Sequence, residues 1–109
     1  MENYLSARFN ALGDATRLAV VERLSGGSQT VSDLAKAHPM VLSAFTKHLG
    51  ILERAGLITT EKVGRVRICH LNHAAMADLE GWLTDRQALW NRRLHRLERL
   101  IQSEKDDLP

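Results

Sequence analysis

Two groups of side chains have the types and spacing to do chemistry. Ser43, Thr46, Lys47 and His48 crowd one face of an amphipathic segment, and Lys62, Arg65 and Arg67 follow in a short alternating stretch. Hydroxyl and ammonium groups on one helix face can hydrogen-bond base edges or phosphates, and clustered cations suit phosphates. Other chemistry is poorly served. A nucleophile–base–orienter set, a phosphate-cradling glycine loop and paired carboxylates are all missing from the local sequence, so catalysis is not expected. The five histidines (38, 48, 70, 73, 95) are scattered and form no local ligand motif, and neither a metal nor another cofactor is expected. The remaining route to a metal site is one shared between subunits through His70, His73 and His95. The single cysteine, Cys69, rules out an intrachain disulfide and a four-cysteine zinc site. It alternates with Ile68 and His70 as a small buried hydrophobe would.

The positioning elements follow from periodicity. Leu5, Phe9 and Leu12 mark a helix over 3–12, closed by Gly13. Asp14 caps a second helix over 15–24, with Leu18, Val21 and Leu24 spaced three apart. The Ser25-Gly26-Gly27-Ser28 run breaks the chain. Thr30 and Asp33 then form a short capping box for a helix over 31–37, and Pro39 forces a turn. Phe45, Leu49 and Leu52 give the apolar stripe of a helix over 41–55, stopped by Gly56. Val41 has no side-chain oxygen to cap it, and Leu42 offers a base no more than contact with a thymine methyl. Strands over 57–63 and 66–71 flank the turn Gly64-Arg65, which makes a hairpin with a basic tip. Arg67 alternates with Val66 and Ile68 and is expected to face away from the core. From the cap Asn72 onward a last helix runs to about residue 103, with the acidic end 104–109 frayed.

The 109 residues suit one domain over 1–109: helix-turn-helix at about 30–55, wing at about 57–71 and C-terminal dimerisation helix at about 73–103. The fold class expected is mainly α with a small β-hairpin, in the order α-α-α-α-β-β-α. A net charge of +2 with a pI near 9.0 permits nucleic-acid binding without demanding it. No basic leader followed by an apolar run and no membrane-length apolar stretch is visible, so a cytoplasmic protein without a membrane partner is expected. Trp82, Leu83, Leu89, Trp90, Leu94 and Leu97 form an apolar stripe longer than a small domain can cover, which calls for a partner surface.

The runs Phe9-Asn10-Ala11-Leu12-Gly13-Asp14-Ala15-Thr16-Arg17-Leu18, Thr30-Val31-Ser32-Asp33-Leu34-Ala35, Lys47-His48-Leu49 and Leu52-Glu53-Arg54-Ala55-Gly56-Leu57-Ile58 resemble the ArsR family of winged helix-turn-helix regulators. The likeness spans about residues 7–101. It is closer still to a subgroup lacking the usual metal-binding motifs, through Ser43-Ala44-Phe45-Thr46-Lys47-His48-Leu49, Arg67-Ile68-Cys69-His70-Leu71 and the Trp-rich last helix. Thr30 and Ser32 stand where metal-sensing relatives carry cysteines.

The resemblance implies a symmetric dimer built from the first and last helices, here with Leu5, Phe9, Trp82, Leu83, Leu89, Trp90, Leu94 and Leu97 at the interface. It also implies repression of the protein's own operon by binding double-stranded DNA. Ser43, Thr46, Lys47 and His48 would then face the major groove, with Lys62, Arg65 and Arg67 on phosphates or the minor groove. Two roles are open to His48: donating to a phosphate, or packing and orienting its neighbours. Thr30 and Ser32 either cap the supporting helix or help hold a phosphate. Arg17 is assigned to structure. The alternatives are a metal- or small-molecule-responsive sensor and a winged-helix protein-interaction module.

Overall fold

The computed structural model describes residues 2–107. The elements run α1 (Glu2–Leu12), α2 (Ala15–Leu24), β1 (Gln29–Thr30), α3 (Val31–Lys36), α4 (Leu42–Arg54), β2 (Ile58–Val63), β3 (Val66–Leu71) and α5 (His73–Asp107). They divide into two compact units, up to Met76 and from Ala77 on.

The first unit holds the winged helix-turn-helix. Asp14 starts α2 by accepting a hydrogen bond from the Arg17 amide at 3.1 Å, and Thr30 starts α3 by accepting from the Asp33 amide at 3.1 Å. Both use the free donors of a helix N-terminus as the sequence predicts. Val41 caps α4 with no side-chain hydrogen bond. The buried side chains Val20, Val21, Leu24, Leu34, Phe45, Leu49, Leu52, Leu57, Ile58 and Cys69, from α2, α3, α4, the link after it and the two wing strands, form most of the core. His38 stacks on Phe45 with ring centroids 5.3 Å apart and closes the end of that core beside the turn into α4.

The end of α4 sets the entry of the wing. Gly56 adopts φ +77°, its amide donates to the Glu53 carbonyl at 3.0 Å, and the Leu57 amide donates to the Leu52 carbonyl at 3.0 Å. This is a Schellman cap, with Leu52 and Leu57 both fully buried as its apolar contact. Three residues, Ala55, Gly56 and Leu57, therefore turn the chain from reading helix to strand. β2 and β3 pair antiparallel from Ile58↔Leu71 to Val63↔Val66 around Gly64-Arg65. Gly64 has φ +63°, as the first position of such a two-residue loop requires.

The structure adds to and corrects the expectations. β1 is a third strand, pairing Gln29↔Cys69 and Thr30↔Ile68, so the sheet order is β1-β3-β2. Arg67 does not face away from the core side. It shares a sheet face with Cys69, which is fully buried, whereas Val66 and Ile68 lie on the other face and Val66 is 45% exposed. The core is held on that side by Ile58 and Cys69, not by the bulkier alternating pair. The acidic end is also helical as far as Asp107, where Gln102 Nε2 donates to Asp106 Oδ1 at 3.2 Å one turn on. Leu108 and Pro109 lie outside the described residues.

In the second unit α5 exposes Leu83, Trp90, Leu94, Leu97 and Ile101 along one helical stripe, and Leu89 is half-buried. The guanidinium carbons of Arg86 and Arg93 lie 5.1 and 5.9 Å from the ring centroids of Trp82 and Trp90. No described helix is long and apolar enough to cross a membrane.

Candidate nucleic-acid interface

Three core side chains, Phe45, Leu49 and Leu52, fix the roll of α4 about its axis. The opposite face then presents Ser43, Thr46 and Lys47, all exposed. Val41 and Leu42 at the helix start are 70% and 62% exposed, so its first turn is apolar. A short apolar start followed by hydroxyls and a cation suits methyl contact at one end and base-edge or phosphate contact beyond it.

His48 is placed differently from its neighbours. Its Nδ1 accepts from Arg17 Nη1 at 3.2 Å and stands 3.6 Å from Asp14 Oδ2. Arg17 in turn donates from Nε to the Ala11 carbonyl at 2.6 Å and from Nη2 to the Asn10 carbonyl at 3.4 Å. Two late carbonyls of α1 and the middle of α4 thus meet at one guanidinium, while the α2 cap Asp14 is held by the Arg17 backbone amide. The hydrogen bond from the Arg17 amide holds the Asp14 carboxyl below its ordinary value, with the charges of His48 and Arg17 adding to the effect against some desolvation.

On the wing, Lys62 and Arg67 are direct cross-strand partners and so stand side by side on one sheet face, with Arg65 at the tip. Like charges opposite each other on a sheet repel. One contact offsets this. Arg67 Nη1 donates to Thr60 Oγ1 at 3.2 Å, and Thr60 Oγ1 donates to Glu53 Oε1 of α4 at 3.1 Å. Lys62, Arg65 and Arg67 are all exposed.

Sequence spacing missed two arrangements. The Arg17–His48 contact joins residues 31 apart. The second is a hydroxyl–imidazole–carboxylate line between residues far apart in sequence: Ser28 Oγ meets His70 Nδ1, and His70 Nε2 meets Glu61 Oε1 at 2.8 Å. It is exposed and ties the glycine-rich loop before β1 to β2 and β3. Neither could be read locally, because each is assembled by the sheet or by helix packing. Among the described residues, no three His, Cys, Asp or Glu side chains gather to hold a metal ion. Cys69 is buried, and desolvation, with Glu53 nearby, raises its thiol pKa above the ordinary value against the opposing charge of Arg67.

An amphipathic helix exposing hydroxyls and a lysine, followed at once by a basic hairpin, defines a winged helix-turn-helix DNA-binding protein. Comparison with known proteins agrees. Residues 12–61 match a helix-turn-helix domain family. The chain is 37% identical over 99 residues to the HTH-type transcriptional regulator Rv2034 of Mycobacterium tuberculosis, covering 91% of this chain and 90% of that one. It is 29% identical over 75 residues to the transcriptional repressor SdpR of Bacillus subtilis, covering 69% and 83% of the two chains. The crystal structure of an ArsR family transcriptional regulator superposes with a TM-score of 0.78 at 45% identity, covering 84% of this chain and 94% of that one. The chain belongs to the ArsR family of winged helix-turn-helix regulators. It is a DNA-binding transcriptional regulator and not an enzyme.

Proposed function

We propose that the protein is a homodimeric repressor that binds a palindromic operator upstream of its own gene, in the cytoplasm. Ser43, Thr46 and Lys47 enter the major groove on α4, while Lys62, Arg65 and Arg67 follow the phosphates or the minor groove. His48 takes the orienting role rather than the phosphate-donating one. Thr30 serves as a cap, which leaves Ser32 exposed at the start of the supporting helix.

The observation that carries this reading is the wing tip. Two cations stand directly opposite each other with a third at the turn, an arrangement that costs stability until an anion is bound. Pairing is supported by the exposed stripe of α5, since large apolar side chains on one helical face call for a second surface. The half-buried Leu5 and Phe9 of α1 join Trp82, Leu83, Leu89, Trp90, Leu94 and Leu97 in that role. A two-fold dimer sets its reading helices about 34 Å apart, on successive major-groove faces of a palindrome. Repression is supported by the likeness to SdpR, a transcriptional repressor.

Genomic fragments captured by the purified protein test the proposal. The region upstream of its own gene is expected to be enriched. The double variant Lys47→Ala/Arg65→Ala should lose that fragment while remaining dimeric. Capture of random fragments only, or retention by the double variant, contradicts it.

A further inference from the structure

We propose that His48 and Arg17 form a proton-sensitive latch that positions the reading helix on the rest of the domain. The inference rests on the DNA-binding reading of α4 given above. Arg17 is permanently charged and can only donate, so its 3.2 Å contact requires Nδ1 of His48 to be an unprotonated acceptor. With the ring neutral, a continuous path runs from the Asn10 and Ala11 carbonyls of α1 through Arg17 to the middle of α4. Thr46 and Lys47 immediately precede this anchor. The core contacts of Phe45 and Leu49 set the depth of α4, and the latch adds a polar constraint on its roll.

Protonation reverses the local preference. Nδ1–H then faces a guanidinium, two donors of like charge, while Asp14 Oδ2 waits 3.6 Å away. The ring is drawn to Asp14 and released from Arg17. Asp14 also accepts from the Arg17 amide, so the new partner competes with the cap of α2. The charged groups facing the ring are Asp14 and Arg17, both at the start of α2. Arg8 of α1 donates instead to the Ala55 carbonyl, and β2 engages α4 further along, where Thr60 meets Glu53. On α4 itself the neighbouring Lys47 is exposed. Imidazole exists in a neutral and a protonated form, and only the neutral one can offer Nδ1 to the guanidinium.

The test combines a structural and a binding readout. Nitrogen NMR of the His48 ring in the free protein at pH 8 should show the Nε2–H tautomer with Nδ1 as an acceptor. A protonated Nδ1 at that pH overturns the latch whatever the DNA result. The fragment upstream of the gene and an unrelated duplex of equal length are then titrated from pH 8 to pH 5.5. The preference for the upstream fragment should fall by about tenfold in the native protein. His48→Asn places an amide oxygen where Nδ1 was, cannot gain a proton, and should hold that preference constant within about twofold while melting as a folded protein. Equal pH profiles for the two proteins overturn the proposal. Failure of every variant to prefer the upstream fragment sinks the repressor reading instead, and the ring spectra still decide the latch.

Discussion

Asp14 illustrates how one side chain serves both folding and site geometry. Its carboxyl is held below the ordinary 3.8 chiefly by the Arg17 amide. A carboxyl whose folded value is depressed contributes stability above its unfolded value and loses it as pH falls through the folded one. Melting temperatures of the native protein and Asp14→Ala should therefore differ at pH 5 and above, and the gap should narrow steadily below pH 3.8. A gap independent of pH would show that the cap bond is not what depresses the carboxyl. Cys69 has the opposite sign. Burial raises its thiol above the ordinary 9.0, so its contribution is complete at lower pH and is lost as alkali forces ionisation. The native protein should resist iodoacetamide at neutral pH and react once unfolded, as mass measurement of the adduct will show. That Cys69 is buried was readable from its alternation in a strand. Alternation puts Arg67 on the same strand face as Cys69 and Val66 with Ile68 on the other, so a buried Cys69 and an Arg67 turned away from the core could not both hold. The full burial of Cys69 decides between them.

At the scale of elements, helices whose apolar residues recur every three or four positions were legible to within a residue or so at most ends. The capping residues Asp14, Thr30 and Asn72 mark starts, and Gly56 marks a stop. Asn72 shows why: it accepts from the Ala75 amide at 3.2 Å and donates to the Gly56 carbonyl at 2.8 Å, so one side chain begins α5 and seals the end of α4. β1 escaped the sequence because two residues show no alternation, and its strand character comes entirely from pairing with β3. The Gly56 cap gives a direct test. Gly56→Ala must hold a side chain at φ +77°, with its Cβ 3.4 Å from Arg8 Nη2. It should destabilise by more than about 1 kcal/mol in urea melts. A neutral result would mean that the turn between helix and wing relaxes freely.

For the whole molecule, the decisive quantity is the salt dependence of DNA binding. If Lys62, Arg65 and Arg67 each neutralise a phosphate in both protomers of a dimer, replacing any one with Ala should lower the slope of log affinity against log salt by about 2, roughly equally on any sequence. Loss of slope at Lys47 alone would move the electrostatic contact from the wing to the helix. Pairing is tested separately: Leu97→Glu should shift the protein to a monomer in sedimentation, since a carboxylate would enter the apolar stripe. The wing and the reading helix are also joined by only three residues, with the Leu57 amide bonded to the Leu52 carbonyl, both side chains buried, and Thr60 bridging Arg67 to Glu53. So short a hinge makes independent swinging of the hairpin costly. On the proposed reading, helix and wing must then let go of DNA together, and each protomer's release should follow a single exponential instead of peeling away in stages.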